Sequence, residues 1–299
     1  MTTMLIGANG QLGSDIVLAW HDGLGPLVPL LHADIEVTER ASIAAAFDAH
    51  RPAVVINTSA FHLVDLCEDE PERAFATNAV AALWLADACR AVGATLVHIS
   101  TDYVFSGAKR AAYTESDPTD APNVYGMSKA AGEQLIRQRL AQHYIVRSSG
   151  LYGVAGVGGK GGNFVERMLQ LAGERRDLRV VDDQVSAPTF TADLAATIVE
   201  LLAAGAERAP YGTYHITNAG EVSWHDFART IFEMSGVEAK LAPTTSAAFG
   251  AKAVRPSYSV LANDALRAAG IAQPRPWRDA LAEYLTQKGH IRKKLEARS

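Results

Sequence analysis

The stretch Thr3-Met4-Leu5-Ile6-Gly7-Ala8-Asn9-Gly10-Gln11-Leu12-Gly13 decides how the rest of the chain is read. A short apolar run enters three glycines at i, i+3 and i+6, and an amphipathic helical pattern over 12–20 follows. Glycines so spaced permit a tight turn, close backbone approach to a pyrophosphate, and snug packing of helix on strand. The start of the helix offers unpaired N–H groups and the positive end of its dipole to an anion. The spacing is GxxGxxG, and its place in a strand–turn–helix unit points to a dinucleotide site.

Outward from this unit, apolar runs at 3–6, 27–31, 54–57, 95–99, 144–146, 178–181 and 214–216 alternate with helical patterns. The helical patterns cover 12–20, 42–50, 71–91, 125–140, 164–172 and 191–203. Such alternation predicts an α/β fold, a Rossmann-type doubly wound parallel sheet buried on both faces. Ligands of open sheets bind outside the carboxyl ends of the strands. Beyond about residue 218 the order loosens into helices at 224–234 and 277–285 and a stretch punctuated at Arg255-Pro256. The expected organisation is a dinucleotide-binding domain over 1–150, with contributions from about 176–220. Residues 151–175 and 221–299 then form a smaller C-terminal substrate-binding lobe. Six glycines within 153–162 read as a flexible connection.

Composition narrows the function classes. The chain has 299 residues and a formal net charge of -5, which gives no support to a nucleic-acid or anionic-membrane surface. Cys67 and Cys89 make neither a metal-ligand spacing nor a disulfide framework. No secretory leader is evident, and no run approaches the roughly 20 apolar residues of a membrane span. The expectation is a soluble, cytoplasmic protein. Basic residues at 290–294 read as a solvated tail, and Glu68-Asp69-Glu70 as charges complementing a helix starting at Pro71. His98, His215 and His225 lack ligand spacing and read as packing residues, so no metal is expected.

The run over 95–99 leads into Ser100-Thr101 at the carboxyl end of a central strand. A hydroxyl there can polarise a substrate carbonyl. Tyr125 and Lys129 fall at i and i+4, which places them on one face of a helix. A free phenol has a pKa of roughly 10, and a nearby ammonium moves it toward working pH by favouring the phenolate. Tyr125 then serves as proton donor while a nicotinamide carries the hydride. After the second strand no carboxylate stands at once in the ribose position, since Leu30-Leu31-His32 precedes Asp34. The choice between NADH and NADPH stays open.

In this order the residues resemble the dTDP-4-dehydrorhamnose reductase family, a nucleotide-sugar branch of the extended short-chain dehydrogenase/reductases. The likeness is carried by the glycine turn, Val54-Val55-Ile56-Asn57, Val64-Asp65, Ser100-Thr101-Asp102-Tyr103-Val104-Phe105 and Asn123-Val124-Tyr125-Gly126. It continues through Gly161-Gly162-Asn163-Phe164, Asp183-Gln184, Ala187-Pro188-Thr189, Gly212-Thr213-Tyr214-His215 and Arg255-Pro256.

The resemblance implies that Thr101, Tyr125 and Lys129 form the catalytic set. It implies that Gly7, Asn9, Gly10, Gln11 and Leu12 hold a pyrophosphate, that Asp34 and Ile35 meet the adenosine side, and that Ser59, Ala60 and Asn78 meet the middle of the cofactor. Tyr125 and Lys129 would also touch that cofactor, NADPH or NADH. Val104, Asn163 and Arg255 would face a sugar nucleotide, and the superfamily implies a homodimer through the helices at 71–91 and 125–140.

Two departures stand out. Gly150 occupies the place where family members usually have tryptophan, which would enlarge or reshape the pocket. Asp15 fits one position of a magnesium set, whereas 189–192 lacks the matching acid. The expected function is an NAD(P)H-dependent reductase of a nucleotide-linked 4-keto-6-deoxysugar. The alternatives are a regulatory subunit resembling that of methionine adenosyltransferase, and a nucleotide-sugar epimerase or dehydratase. The dehydratase reading suffers because Thr101-Asp102-Tyr103 lacks the adjacent acid pair such enzymes usually carry.

Overall fold

The computed structural model describes residues 1–155, 162–174 and 177–291. Strands β1 (Thr3–Ile6), β2 (Leu27–Leu30), β3 (Val54–Asn57), β4 (Thr95–Thr101) and β5 (His143–Ser148) join an edge strand, Gly212–His215, in one six-stranded sheet. Its order is Gly212–His215, β5, β4, β3, β1, β2, and every pairing is parallel. From β1 the chain moves outward to β2 on one side, then returns to place β3 on the other. The order therefore reverses between β1 and β3, the kind of crevice where open α/β sheets bind ligands.

Period-two alternation fills both faces of the sheet. Met4, Ile6, Val55, Leu96 and Ile145 point to a layer that includes Ile43 and Phe47 of α2 (Arg40–His50), Leu85 and Ile136. Leu5, Ile56, Val97 and Val146 point to the opposite layer, against Leu12 and Ile16 of α1 (Gln11–Ala19) and Leu194 and Ile198 of the helix Thr191–Arg208. Both faces are covered, as the near-continuous apolar strands predict.

The segment expected as one helix over 71–91 is interrupted. After α3 (Val64–Asp69) come α4 (Pro71–Phe75), a π-helical turn at Ala76–Val80, and α5 (Ala81–Val92). The turn carries Asn78, whose amide Oδ1 accepts from Phe61 N (2.9 Å) and whose Nδ2 donates to Phe61 O (3.0 Å) and Ser128 Oγ (3.0 Å). Asn78 thus ties the chain after β3 to α6 (Val124–Arg139), the helix that carries Tyr125 and Lys129. π turns recur at functional sites.

A third core joins the helices Phe164–Glu174, Trp224–Ser235 and Trp277–Gln287 to strand Asp177–Val181. That strand was expected among the strands of the large sheet and within the dinucleotide half. It pairs instead with Lys240–Thr244, a strand the sequence pattern did not suggest. The physical reason is visible in its alternation: Leu178 and Val180 are buried, whereas Asp177 and Arg179 are exposed. A strand with one wet face does not fit a sheet buried on both sides. Most of the glycine-rich segment (156–161) and the basic end beyond 291 lie outside the described residues. Among the described residues no helix is long and apolar enough to cross a membrane.

Candidate active site

The turn after β1 is built by backbone bonds. Gly7 N donates to Leu30 O (3.0 Å), Gly10 N donates to Gly7 O (3.0 Å), and Thr58 Oγ1 at the end of β3 donates to Ile6 O (2.7 Å). Gly10 caps α1 with no side-chain bond, so the first N–H groups of the helix face the β1/β3 crevice unpaired by a cap. A Cβ on Gly13 would lie 2.2 Å from Gly7 O, and one on Gly7 would lie 2.6 Å from Thr58 Oγ1. The loop is a cradle that side chains would fill, and its free donors suit a diphosphate.

The other residues expected on the cofactor side differ in exposure and in partners. Leu12 and Ile35 are buried in the two sheet cores. Asn9 is exposed beside the turn. Gln11 Oε1 accepts from Gly153 N (2.7 Å) and Asn163 Nδ2 (3.2 Å), which ties the turn to the lobe. Asp34 Oδ2 accepts from Leu31 N (2.8 Å) in an exposed turn. Ser59 and Ala60 sit half-buried just past β3, with Ser59 Oγ donating to Asn57 Oδ1 (2.6 Å).

At the other end of the crevice, β4 delivers Thr101 beside Ser148 of β5. The Thr101 hydroxyl donates to Asp102 Oδ1 (3.1 Å) and accepts from Tyr103 N (3.2 Å), with the Tyr125 phenol close by. The start of α6 is fixed twice. Asn123 Oδ1 accepts from Gly126 N (2.8 Å), and Glu68 Oε1 accepts from Val124 N (2.8 Å). The Tyr125 ring meets Tyr103 edge-on at 5.9 Å. Burial holds the Tyr125 phenol well above its ordinary pKa; Thr101 opposes this, while Asp102, Tyr103 and Cys67 add to it.

Lys129 is 1% exposed. Its Nζ donates to Ile99 O (2.6 Å) and stands 3.2 Å from His98 Nε2. Burial pulls the Lys129 pKa down to about 8, with Glu133 acting in the opposite sense. The sequence reading had an ammonium acting directly on the phenol. Here the lysine tail runs under the helix toward β4, where Nζ meets Ile99 O and His98.

Sequence reasoning missed Asp102. It is 2% exposed, accepts from Ser149 Oγ (2.8 Å) as well as Thr101, and burial pushes its carboxyl up to about 6 against bonds from Ser259, Ser149 and Thr101. An acid immediately after a strand-end threonine was the available signal.

The three residues expected to face a sugar nucleotide differ in burial and in partners. Val104 is fully buried with Phe105, Tyr113 and Leu261, and its carbonyl accepts from Asp120 N (2.8 Å). Asn163 is also buried: Nδ2 donates to Gln11 Oε1, Gly153 O (3.1 Å) and Tyr284 Oη (3.0 Å), while Oδ1 accepts from Glu166 N (3.1 Å). Both side chains are committed to packing or to the loop that carries them. Arg255 keeps a forked geometry, with Nη1 at 3.1 Å and Nη2 at 2.8 Å from the two oxygens of Asp65.

Gly150 follows β5 with φ +53, and Trp224 Cη2 lies 3.2 Å from where its Cβ would stand. The missing tryptophan therefore does not leave an open gap at that point, because another tryptophan approaches from the lobe. Phe164 packs on Trp224 at 4.6 Å.

The acidic run differs from its expected role. Glu68 complements the start of α6, Asp69 pairs with Lys252, and Glu70 pairs with Arg73 (2.8 Å). His225 lies with Asp182 and Asp226 in a group of ligand type, contrary to the spacing argument. Ser223 Oγ donates to Asp182 (2.6 Å) and Arg229 pairs with Asp226 (3.2 Å), so these acids already have partners. Asp15 lies apart from that group and accepts from Thr191 Oγ1 (2.5 Å), within the 189–192 segment that lacks the acid.

A turn of this form at the β1/β3 reversal, and a helix bearing tyrosine and lysine beside a strand-end threonine, define the extended short-chain dehydrogenase/reductases, and the chain is an oxidoreductase of that type. Residues 1–289 match the family described as RmlD substrate binding domain, and the chain belongs to that family, the dTDP-4-dehydrorhamnose reductases. It is 40% identical over 289 residues to the spore coat polysaccharide biosynthesis protein SpsK of Bacillus subtilis (strain 168), covering 96% of this chain and 98% of that one. It is 42% identical over 283 residues to the dTDP-4-dehydrorhamnose reductase of Streptomyces griseus, covering 94% and 91%. The crystal structure of a dTDP-4-dehydrorhamnose reductase from Bacillus anthracis str. Ames in complex with NADP superposes with a TM-score of 0.88, at 35% identity, covering 96% of this chain and 99% of that chain.

Proposed function

We propose that this protein reduces the 4-keto group of a dTDP-linked 4-keto-6-deoxysugar with NADPH, with dTDP-4-dehydrorhamnose as the first substrate to test. The observation that carries this reading is the convergence of Thr101 and Tyr125 at the carboxyl end of β4, in the same crevice mouth as the Gly7–Gly13 cradle. The name of the Streptomyces griseus relative supports the sugar, and the NADP held by the Bacillus anthracis relative supports the cofactor.

The first turn of α1 and the backbone of the glycine loop would hold the diphosphate of the dinucleotide. The bound nicotinamide supplies the hydride. Thr101 orients the substrate carbonyl and the phenol, and Tyr125 Oη releases its proton to the carbonyl oxygen as charge develops there. The half-buried phenol, packed against the Phe61, Cys67 and Ala74 cluster, holds its proton at neutral pH. Arg255 offers a two-pronged cation to the nucleotide diphosphate, the geometry it already shows with Asp65. The family resemblance also implies a homodimer through α4–α6, and exposed Phe75, Val80 and Met127 support that face.

The test is NADPH oxidation followed by absorbance with dTDP-4-dehydrorhamnose as substrate. Tyr125→Phe is expected to lower kcat by roughly 10²–10⁴-fold while dinucleotide binding is retained. Equal turnover by the two proteins would remove Tyr125 from the proton-donor role. A stoichiometric partner protein with no turnover on any ketosugar would favour the regulatory reading.

A further inference from the structure

His98 is 1% exposed on β4, three residues before Thr101, and it is bonded at both ring nitrogens. The polarity of those bonds follows from a fixed point. Asn57 Oδ1 accepts from Ser59 N (3.1 Å) and Ser59 Oγ (2.6 Å), so the other amide atom, Nδ2, faces His98 Nδ1 at 3.2 Å. Turning the amide over would set its NH₂ against the Ser59 backbone N–H, two donors in contact. Nδ1 of His98 must therefore accept, and a neutral ring then carries its hydrogen on Nε2. Nε2 faces Lys129 Nζ at 3.2 Å, and Nζ already donates to Ile99 O.

We infer that His98 is a positioning residue that sets the charge of Lys129: held by Asn57 as the Nε2–H tautomer, it donates that hydrogen to the lysine nitrogen and so favours the neutral amine. The imidazolium form is excluded by the same geometry, because Asn57 aims a donor at Nδ1, and burial also keeps His98 from protonating. The titratable and charged groups around Lys129 are few. Tyr125 and Glu133 share its helix, His98 faces it from β4, Arg147 and Arg137 bind Glu133, and Asp102 and Cys67 lie beyond Tyr125. Glu133 favours the ammonium and His98 opposes it. Lys129 is then a group whose charge depends on pH within the working range, not a fixed cation.

The catalytic importance of this device rests on the proposed reductase chemistry; the tautomer itself does not. Long-range ¹H–¹⁵N correlation on the ¹⁵N-labelled protein is expected to show His98 with Nε2 protonated and Nδ1 bare from pH 6 to 9. In Asn57→Asp the new carboxylate oxygen accepts from Nδ1–H, the tautomer inverts, and Nε2 accepts from the ammonium. His98→Leu removes the donor without adding a charge. In both variants the Lys129 titration, followed by its ¹³Cε shift, is expected to move upward by about one pH unit, a tenfold change in its ionisation constant.

If the protein reduces ketosugars, the alkaline limb of kcat/KM moves with it. An Nδ1–H tautomer or an imidazolium in the parent protein overturns the inference, as does a Lys129 titration unmoved in both variants. Absence of turnover with the expected tautomer and titration would count against the reductase reading alone.

Discussion

Replacing Arg147 with methionine tests what holds the catalytic helix against the sheet. Arg147 on β5 is 2% exposed and Glu133, one turn beyond Lys129 on α6, is 0% exposed. The guanidinium meets the carboxylate at two points, Nε to Oε1 at 2.9 Å and Nη2 to Oε2 at 2.6 Å. Ser100 Oγ donates to Oε1 (2.6 Å), and half-buried Arg137 reaches Oε2 at 2.8 Å. Arg147→Met keeps an apolar stem but removes the guanidinium, which lies 5.0 Å over the Phe105 ring, and strands a buried carboxylate.

Removing one partner of a buried pair costs about 3–5 kcal/mol, and the surviving Arg137 bond favours the lower end, about 3 kcal/mol. For a chain of this length that is a fall in Tm of roughly 6 °C. The double variant Glu133→Leu/Arg147→Met removes both charges and leaves the Ser100 hydroxyl and His215 Nε2 without those partners. It is expected to lose only about 1–2 kcal/mol.

The pH dependence fixes the sign. Arg147 and its neighbours hold the Glu133 carboxyl below its ordinary value against burial, so Glu133 adds stability above the unfolded pKa of about 4.3. That contribution is lost as pH falls through the lower folded value. In Arg147→Met burial dominates and the carboxyl rises, so the deficit is largest at neutral pH and shrinks as pH falls through about 4. Urea unfolding followed by circular dichroism at pH 7 and pH 4 measures all three quantities. A single variant within about 1 kcal/mol of the parent, or a double variant worse than the single, would refute the account.

Two further outcomes are expected. Gly13→Ala places a methyl 2.2 Å from Gly7 O and should weaken NADPH binding about tenfold or more, read by fluorescence titration; an unchanged Kd would show that the loop adapts. Asp102, with its carboxyl raised to about 6, opposes folding when ionised at neutral pH, and that burden fades as pH falls from about 6 toward its unfolded value of about 3.9. Asp102→Asn should therefore flatten the difference in unfolding free energy between pH 7 and pH 5, and an unchanged difference would place the titration elsewhere.

Local chemistry was legible in the sequence because its causes are local. The Gly7–Gly13 turn, the buried strands at 54–57 and 95–99, and the i, i+4 spacing of Tyr125 and Lys129 each follow from backbone sterics or a residue period. The half-wet strand Asp177–Val181 was misplaced only because its apolar residues were weighed without their charged neighbours.

What only the tertiary structure decided is which groups meet. Arg255 finds Asp65 across 190 residues, Asn163 is enclosed by Gln11 and Tyr284, and Trp224 comes from the lobe to lie over Gly150. Lys129 shares a helix face with Tyr125 in sequence, yet folding sends its amine down to His98. A side chain's type is set by the sequence, whereas its charge and its free hydrogen-bonding atoms depend on burial and on partners that distant strands supply.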